Sequence, residues 1–255
     1  MTTKTSTRPS KKKETKTART KASIEPQVAP QRSKPEGKPA PRRATKQEAF
    51  TPIYSYPPSI TEDELMSLPL AHCPVPITVI ETKEEARRIA MRLKRAGRLG
   101  IDTETRPSFT AGLRYEVSLL QIATEDECYL FRLNKIGLPK SLLHLLEDPS
   151  ILKVGLSLRD DITALCRRTT FTPNSFVELQ KLCGGYGIRE LGLQKIYAIL
   201  FAERMSKAQR MSNWEDAQLS TAQAHYAALD AWASLRIYNT LMSNPTPPPT
   251  QFALI

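Results

Sequence analysis

The chain has 255 residues, with 37 Lys and Arg against 26 Asp and Glu, a formal net charge of +11 and a pI near 9.6. Residues 1–50 hold 14 of the basic residues against 4 Glu, which leaves 23 basic and 22 acidic residues for the remainder. These figures exclude a domain that is basic throughout, and no apolar run approaches the roughly 18 residues that a helical membrane span requires.

Residues 1–58 combine the surplus charge with Pro, Thr, Ser and Ala and almost no large apolar side chain. Such a segment buries too little surface to offset its ordering entropy, so a disordered basic tail is expected. Its charged start lacks the apolar stretch of a secretory signal, and it is too Lys-rich and too lacking in an apolar face for a mitochondrial transit peptide. Structure is expected from Ser59, where a hydroxyl cap and the acids Glu62, Asp63 and Glu64 mark a helix start. Ile77–Ile80 reads as a strand and Lys83–Arg95, stopped at Gly97, as an amphipathic helix. Leu99-Gly100-Ile101 leads into Asp102 as a buried strand. Val117–Ala123 and Cys128–Leu133 flank the acidic turn Thr124-Glu125-Asp126-Glu127 as a hairpin, giving three antiparallel neighbours. A helix near Leu138–Leu146, a strand at Ile151–Val154, a helix from about Asp160 to Arg168 and a strand near Phe176–Leu179 follow. Helices at Leu191–Leu200 and Leu219–Leu241 complete one domain over 59–243, and 244–255 is a Pro-rich stub. The order points to a mixed α/β sheet flanked by helices. Cys73, Cys128, Cys166 and Cys183 have no C-x-x-C spacing, so neither a zinc site nor a disulfide scaffold is indicated; a reducing cytoplasm and no membrane partner are expected.

Three acidic signals stand out. In Leu99-Gly100-Ile101-Asp102-Thr103-Glu104 two carboxylates lie at i and i+2 of a strand and share one face. Neighbouring carboxylates repel, so a divalent cation held by oxygen ligands, Mg²⁺ or Mn²⁺, is their natural partner; alone, however, the pair is better read as a strand running into a solvated acidic loop. Asp160-Asp161 opens a helix after a strand, where one acid can cap and the other can point into a cleft. On the last helix Tyr226 and Asp230 are four apart and stack on one face among small residues. Each signal is weak by itself; their order and spacing together are specific.

With these motifs, with Val117-Ser118-Leu119-Leu120-Gln121-Ile122, Cys128-Tyr129-Leu130-Phe131, Lys153-Val154-Gly155, Phe176-Val177-Glu178-Leu179 and Ser212-Asn213-Trp214, residues 76–243 resemble the DEDD 3′–5′ exonucleases in their tyrosine-bearing subgroup, which includes the exonuclease domain of the Werner syndrome protein and ribonuclease D. The resemblance implies a ribonuclease H-like mixed sheet of about five strands and metal-dependent removal of nucleoside 5′-monophosphates from a 3′ end. It puts the metal-binding carboxylates on Asp102, Glu104, Asp161 and Asp230, two Mg²⁺ or Mn²⁺ ions between them, and the water-positioning tyrosine on Tyr226. The family usually has Gly where this chain has Asp160, so the choice between Asp160 and Asp161 stays open, although Asp161 shares a helix face with Leu165 and Asp160 is better placed as a cap. The expected partner is nucleic acid with a single-stranded 3′ end, DNA favoured over RNA. The alternatives are RNA 3′-end trimming and a catalytically weak nucleic-acid tether.

Other residues carry competing readings. Trp214 and Trp232 could stack on bases, with Trp232 better read as core. Arg106, Arg159 and Lys153 could hold phosphates or stand as solvated charges. His72, His144 and His225 have no partners at metal or triad spacing, and Gly184-Gly185-Tyr186-Gly187 reads as a turn.

Overall fold

The computed structural model describes residues 56–244 and the backbone of Ala253–Leu254. The expected tail lies outside the described residues apart from Tyr56–Pro58, where the Tyr56 ring sits 6.4 Å from that of Tyr186 and the Pro58 carbonyl accepts from the Arg189 amide at 2.8 Å.

The first helix, α1 (Glu62–Ser67), starts as its sequence dictates: Thr61 caps it, and Glu64 returns the bond in a capping box. Then come β1 (Ile77–Ile80), α2 (Lys83–Leu93), β2 (Arg98–Thr105), β3 (Val117–Ala123) and β4 (Cys128–Arg132). They are followed by α3 (Leu133–Ile136), α4 (Lys140–Glu147), β5 (Leu152–Gly155), α5 (Leu158–Arg168), β6 (Phe176–Glu178), α6 (Leu179–Gly185), α7 (Leu193–Phe201) and α8 (Thr221–Met242). The sheet runs β1-β4-β3-β2-β5-β6, with β2, β3 and β4 antiparallel and the other pairings among these six parallel. It therefore has six such strands rather than about five. Ala253–Leu254, inside the segment read as a Pro-rich stub, adds a two-residue strand β7 antiparallel to β6.

Two apolar layers sandwich the sheet. On one face Ile89, Leu93, Leu99, Ile101, Leu142 and Leu165 join α2, α4 and α5 to it; on the other Leu119, Leu130, Val154, Ile196, Ala227 and Ala231 join α7 and α8. Both faces are covered, which explains why β3 and β4 are buried at every position and read as continuous apolar runs rather than alternating ones. The turn expected at Gly184–Gly187 is confined to Tyr186–Gly187: Gly184 and Gly185 instead close α6, which the sequence reading did not anticipate, and Gly187 supplies the positive φ of 86° just after it.

Residue alternation along β2 places the site. Leu99 and Ile101 face α2 and α4, so Gly100, Asp102 and Glu104 face α8. The helix lies directly on Gly100: a Cβ there would meet the Ala231 carbonyl oxygen at 2.0 Å. Buried Ala227, Ala228, Ala231 and Ala233 give α8 the slim profile that this approach requires.

Candidate active site

Close packing of α8 on β2 brings Asp102, Glu104 and Asp230 together, and one carboxylate oxygen from each lies within 4.8 Å of the others. All three side chains are partly exposed. Asp161 is joined from the opposite layer: α5 sets it beside β2, where its Oδ1 accepts a 2.5 Å hydrogen bond from Thr103 Oγ1. Asp160 is exposed and makes no such contact. Nor is Asp160 the helix cap. That position belongs to Ser157, in the left-handed region at φ 60°, while the two Glu178 oxygens accept from the amides of Ser157 at 3.0 Å and Leu158 at 2.9 Å.

Without a counter-ion the carboxylates strain one another. Burial, followed by the charges of Asp161, Asp230 and Glu104, raises the Asp102 carboxyl well above its ordinary range. Burial and then Asp230 and Asp161 push Glu104 up to about 9, with Arg210 pulling the other way. Burial lifts Asp230 to about 7 against a hydrogen bond from Tyr226, and lifts Asp161 to about 6 against the bond from Thr103. The Tyr226 hydroxyl, buried and facing Asp230, Glu104 and Asp102, is pushed far above the usual phenol range and stays a neutral donor. An all-oxygen, mutually repelling donor set fits a hard divalent cation such as Mg²⁺ or Mn²⁺ and offers nothing to a thiolate-seeking metal.

A sign follows for stability. These acids have folded values above their unfolded ones near 4, so the native state holds more protons than the unfolded chain from about pH 4 to about pH 9. Stability should be full at the acid end of that window and fall as pH rises through it. Thermal melts in EDTA are expected to show a lower midpoint at pH 9 than at pH 5, and Mn²⁺, which binds the native cluster, to flatten the difference. A midpoint in EDTA that does not move with pH would contradict this coupling.

Tyr226 is held from below. Trp214 is fully buried, and its ring centroid lies 6.0 Å from that of Tyr226. The loop carrying Trp214 is tied down by the buried Arg132 guanidinium donating to the Asp216 carbonyl, by Lys135 Nζ donating to the Ala217 carbonyl at 2.7 Å, and by Gln223 Nε2 donating to the Asn213 carbonyl at 3.2 Å. Of the two tryptophans offered as base-stackers, this excludes Trp214. Trp232, better read as core, is partly buried and packs against the core beside α8, donating from Nε1 to the Glu125 carbonyl at 3.2 Å with Arg236 against its ring.

Lys153 is neither a phosphate holder nor a solvated charge. It is buried, donates from Nζ to the Asp148 carbonyl at 2.8 Å, lies 5.2 Å from the Phe176 ring centroid, and is lowered to about 8 by burial. Arg106 stacks on Tyr115 and pairs with Glu215, and Arg159 is exposed. The cations at the mouth of the site are ones the sequence reading missed. Lys195, Lys207 and Arg210 line a cavity of about 250 Å³ that also exposes Asp102, Tyr226 and Asp230. Lys195 is already paired with Glu62 and Glu190. Lys207 and Arg210 come from an irregular loop whose only sequence signal is its nearness to Ser212-Asn213-Trp214. Also missed was Gln121, the β3 residue directly opposite Asp102, which is buried with both amide atoms lacking a partner among the described residues.

Comparison with known proteins bears on this arrangement. A family model described as 3'-5' exonuclease matches residues 77–244. A 3'-5' exonuclease of Arabidopsis thaliana is 32% identical over 175 residues, 66% of this chain and 58% of that protein. The mouse bifunctional 3'-5' exonuclease/ATP-dependent helicase WRN is 33% identical over 162 residues, 60% of this chain and 11% of that protein. A ribonuclease D of Gluconacetobacter diazotrophicus is 30% identical over 169 residues, 64% of this chain and 42% of that protein. The chain thus spans less than two thirds of the length of these relatives. In fold it is similar to the Nibbler EXO domain of Aedes aegypti, with a TM-score of 0.63 at 20% identity over 71% of this chain and 96% of that one. It is similar also to RNase D of Escherichia coli, with a TM-score of 0.60 at 21% identity over 66% of this chain and 44% of that one. With the ribonuclease H-like sheet, the acidic cluster and a match running from β1 to the end of α8, this chain belongs to the 3'-5' exonuclease family.

Proposed function

We propose that the domain hydrolyses the last phosphodiester bond at a single-stranded 3′ end, DNA favoured over RNA, and releases nucleoside 5′-monophosphates. The observation that carries this is the meeting of Asp102, Glu104 and Asp230 from β2 and α8 beside a neutral Tyr226 hydroxyl. Asp102, Glu104 and Asp230 would hold two divalent cations, Mg²⁺ or Mn²⁺, with Asp161 acting through their hydration shell. When bound, such ions lower the pKa of a water and neutralise charge on the attacking and leaving oxygens.

The chain's own groups do the rest. Tyr226, whose hydroxyl donates to Asp230 in the metal-free cluster, would turn that one proton to the attacking water and so orient it; with its proton held this tightly it is no general base. Glu104, on the same β2 face as Asp102 and close to Asp230, would be oriented toward that water. Water oxygen attacks phosphorus in line as its proton passes to solvent, the bond from phosphorus to the 3′ oxygen breaks, and that oxygen leaves with a proton from solvent. Lys207 and Arg210 at the cavity mouth are placed to hold phosphate oxygens that the carboxylates would repel. A pure tether would gain nothing from four acids that repel phosphate, which argues against the binding-only reading.

RNA trimming is the second reading, favoured by the relative named ribonuclease D. The test uses 5′-labelled single strands of DNA and of RNA with Mn²⁺ or with EDTA. A ladder shortening from the 3′ end on DNA, abolished by EDTA, is the expected result; a ladder on RNA alone would move the assignment to RNA, and no ladder on either would overturn hydrolysis.

A further inference from the structure

Phe109, Leu113 and Met211 are large apolar side chains left 85%, 46% and 59% exposed, and all three line one groove of about 330 Å³. Arg106, Tyr115 and Asn213 are among the other residues that line it. Exposed apolar residues scattered singly need no explanation, but several gathered in one depression mark a surface that something covers.

We propose that this groove is a stacking track for the bases of a single strand just behind its 3′ end. The inference rests on the exonuclease reading for where the strand terminates, and on the groove's own chemistry for what lies in it. Continuity with the site identifies the occupant. The groove opens where β2 ends, two residues past Glu104, and its far wall begins at Met211, next to the Arg210 whose charge acts on Glu104. A strand whose last phosphate lies at the acidic cluster has its preceding nucleotides led across this wall.

The side chains match bases rather than a protein's aliphatic surface. Phe109 offers a flat ring and Met211 a polarizable, adaptable thioether, while the Arg106 guanidinium lies 4.7 Å from the Tyr115 ring centroid, a preformed cation–aromatic plane. Aromatic and guanidinium planes take any base, so the track would be tolerant of sequence. The platform is braced, because Arg106 is paired with Glu215 at 3.3 Å and Asn213 Oδ1 accepts from the Glu215 amide at 3.2 Å.

The test separates track from site. Binding of 5′-fluorescein single strands of about 12 and about 3 nucleotides, DNA and RNA, is measured in EDTA by fluorescence anisotropy, with site sizes chosen to reach or miss the groove. Phe109→Ala and Met211→Ala are expected to weaken binding of the longer strand roughly tenfold, to leave the shorter one unchanged, and to keep the wild-type melting temperature; Phe109→Trp should retain affinity. Equal affinity of wild type and both alanine variants for the longer strand would overturn the track, as would equal losses on both lengths. Shortening of strands by the wild type with Phe109→Ala unimpaired overturns the track alone. A wild type that binds through Phe109 yet shortens no strand supports the track and overturns the exonuclease reading.

Discussion

Asp102→Asn is expected to lower metal-dependent shortening of a labelled strand by roughly a thousandfold or more and, in EDTA, to raise the melting temperature. The two effects have one cause. Asp102 is the carboxylate on which the other three converge: Asp161, Asp230 and Glu104 each raise its pKa, after burial. Asparagine keeps the shape and the strand position, so packing is preserved, but it removes one member of a like-charge cluster that has no buried cation of its own among the described residues. Active-site charge that destabilises the metal-free fold is retained because it binds metal, which is the usual direction of the conflict between activity and stability. Mn²⁺ should accordingly stabilise the wild type and have a smaller effect on the variant. Differential scanning fluorimetry with and without Mn²⁺, beside the cleavage assay, checks both halves. A variant that still digests at a comparable rate would remove Asp102 from the chemistry; one that melts lower in EDTA would show that the carboxylates are not in mutual repulsion.

The features legible in the sequence are those set by short-range periodicity. Asp102 and Glu104 share a face because a strand repeats every two residues, and Tyr226 and Asp230 share one because a helix repeats every 3.6. The hairpin at Thr124–Glu127 follows from an acidic turn between two apolar runs, and Thr61 and Glu64 announce α1 because a capping box is complete within four residues. The invisible features are those made by residues far apart in the chain. Glu178 caps α5 from twenty residues away, and Thr103 holds Asp161 across a separation of 58. Nothing local shows that Lys153 points into the apolar layer and not at the acids, because β5 is covered on both faces and its alternation carries no polar side. The burial of Trp214 is invisible for a related reason. The residue sits in a polar loop, which reads as exposed, yet the loop folds beneath Tyr226 and encloses the ring. Lys207 and Arg210 reach the site on an irregular segment held at its start by Gln194 Nε2 donating to the Met205 carbonyl and at its end by Arg132 and Lys135.

Gly100→Ala should be among the most damaging single-carbon additions in the domain. The new Cβ would lie 2.0 Å from the Ala231 carbonyl oxygen and 2.9 Å from Leu235 Cβ, and the first of these is backbone, which cannot rotate aside. Either α8 lifts from β2 or β2 bends, and overpacking of this kind costs about 3 kcal/mol or more, a fall of roughly 6–12 °C in melting temperature for a domain of this size. Activity should fall further than the folded fraction does. The same displacement separates Asp102 on β2 from Asp230 and Tyr226 on α8, and a shift near 1 Å at a catalytic site costs on the order of a hundredfold. Gly184→Ala provides the opposite case. Gly184 lies in α6, is exposed, and has open space where its Cβ would go, so alanine there should be neutral or stabilising by about 0.5–1 kcal/mol. Comparing the two by thermal melting and by cleavage at a temperature where both remain folded isolates the helix–strand contact from the general effect of replacing glycine. If Gly100→Ala melts with Gly184→Ala and cleaves at the wild-type rate, α8 is free to settle elsewhere on β2, and the closeness of Ala231 to Gly100 is not what aligns the carboxylates.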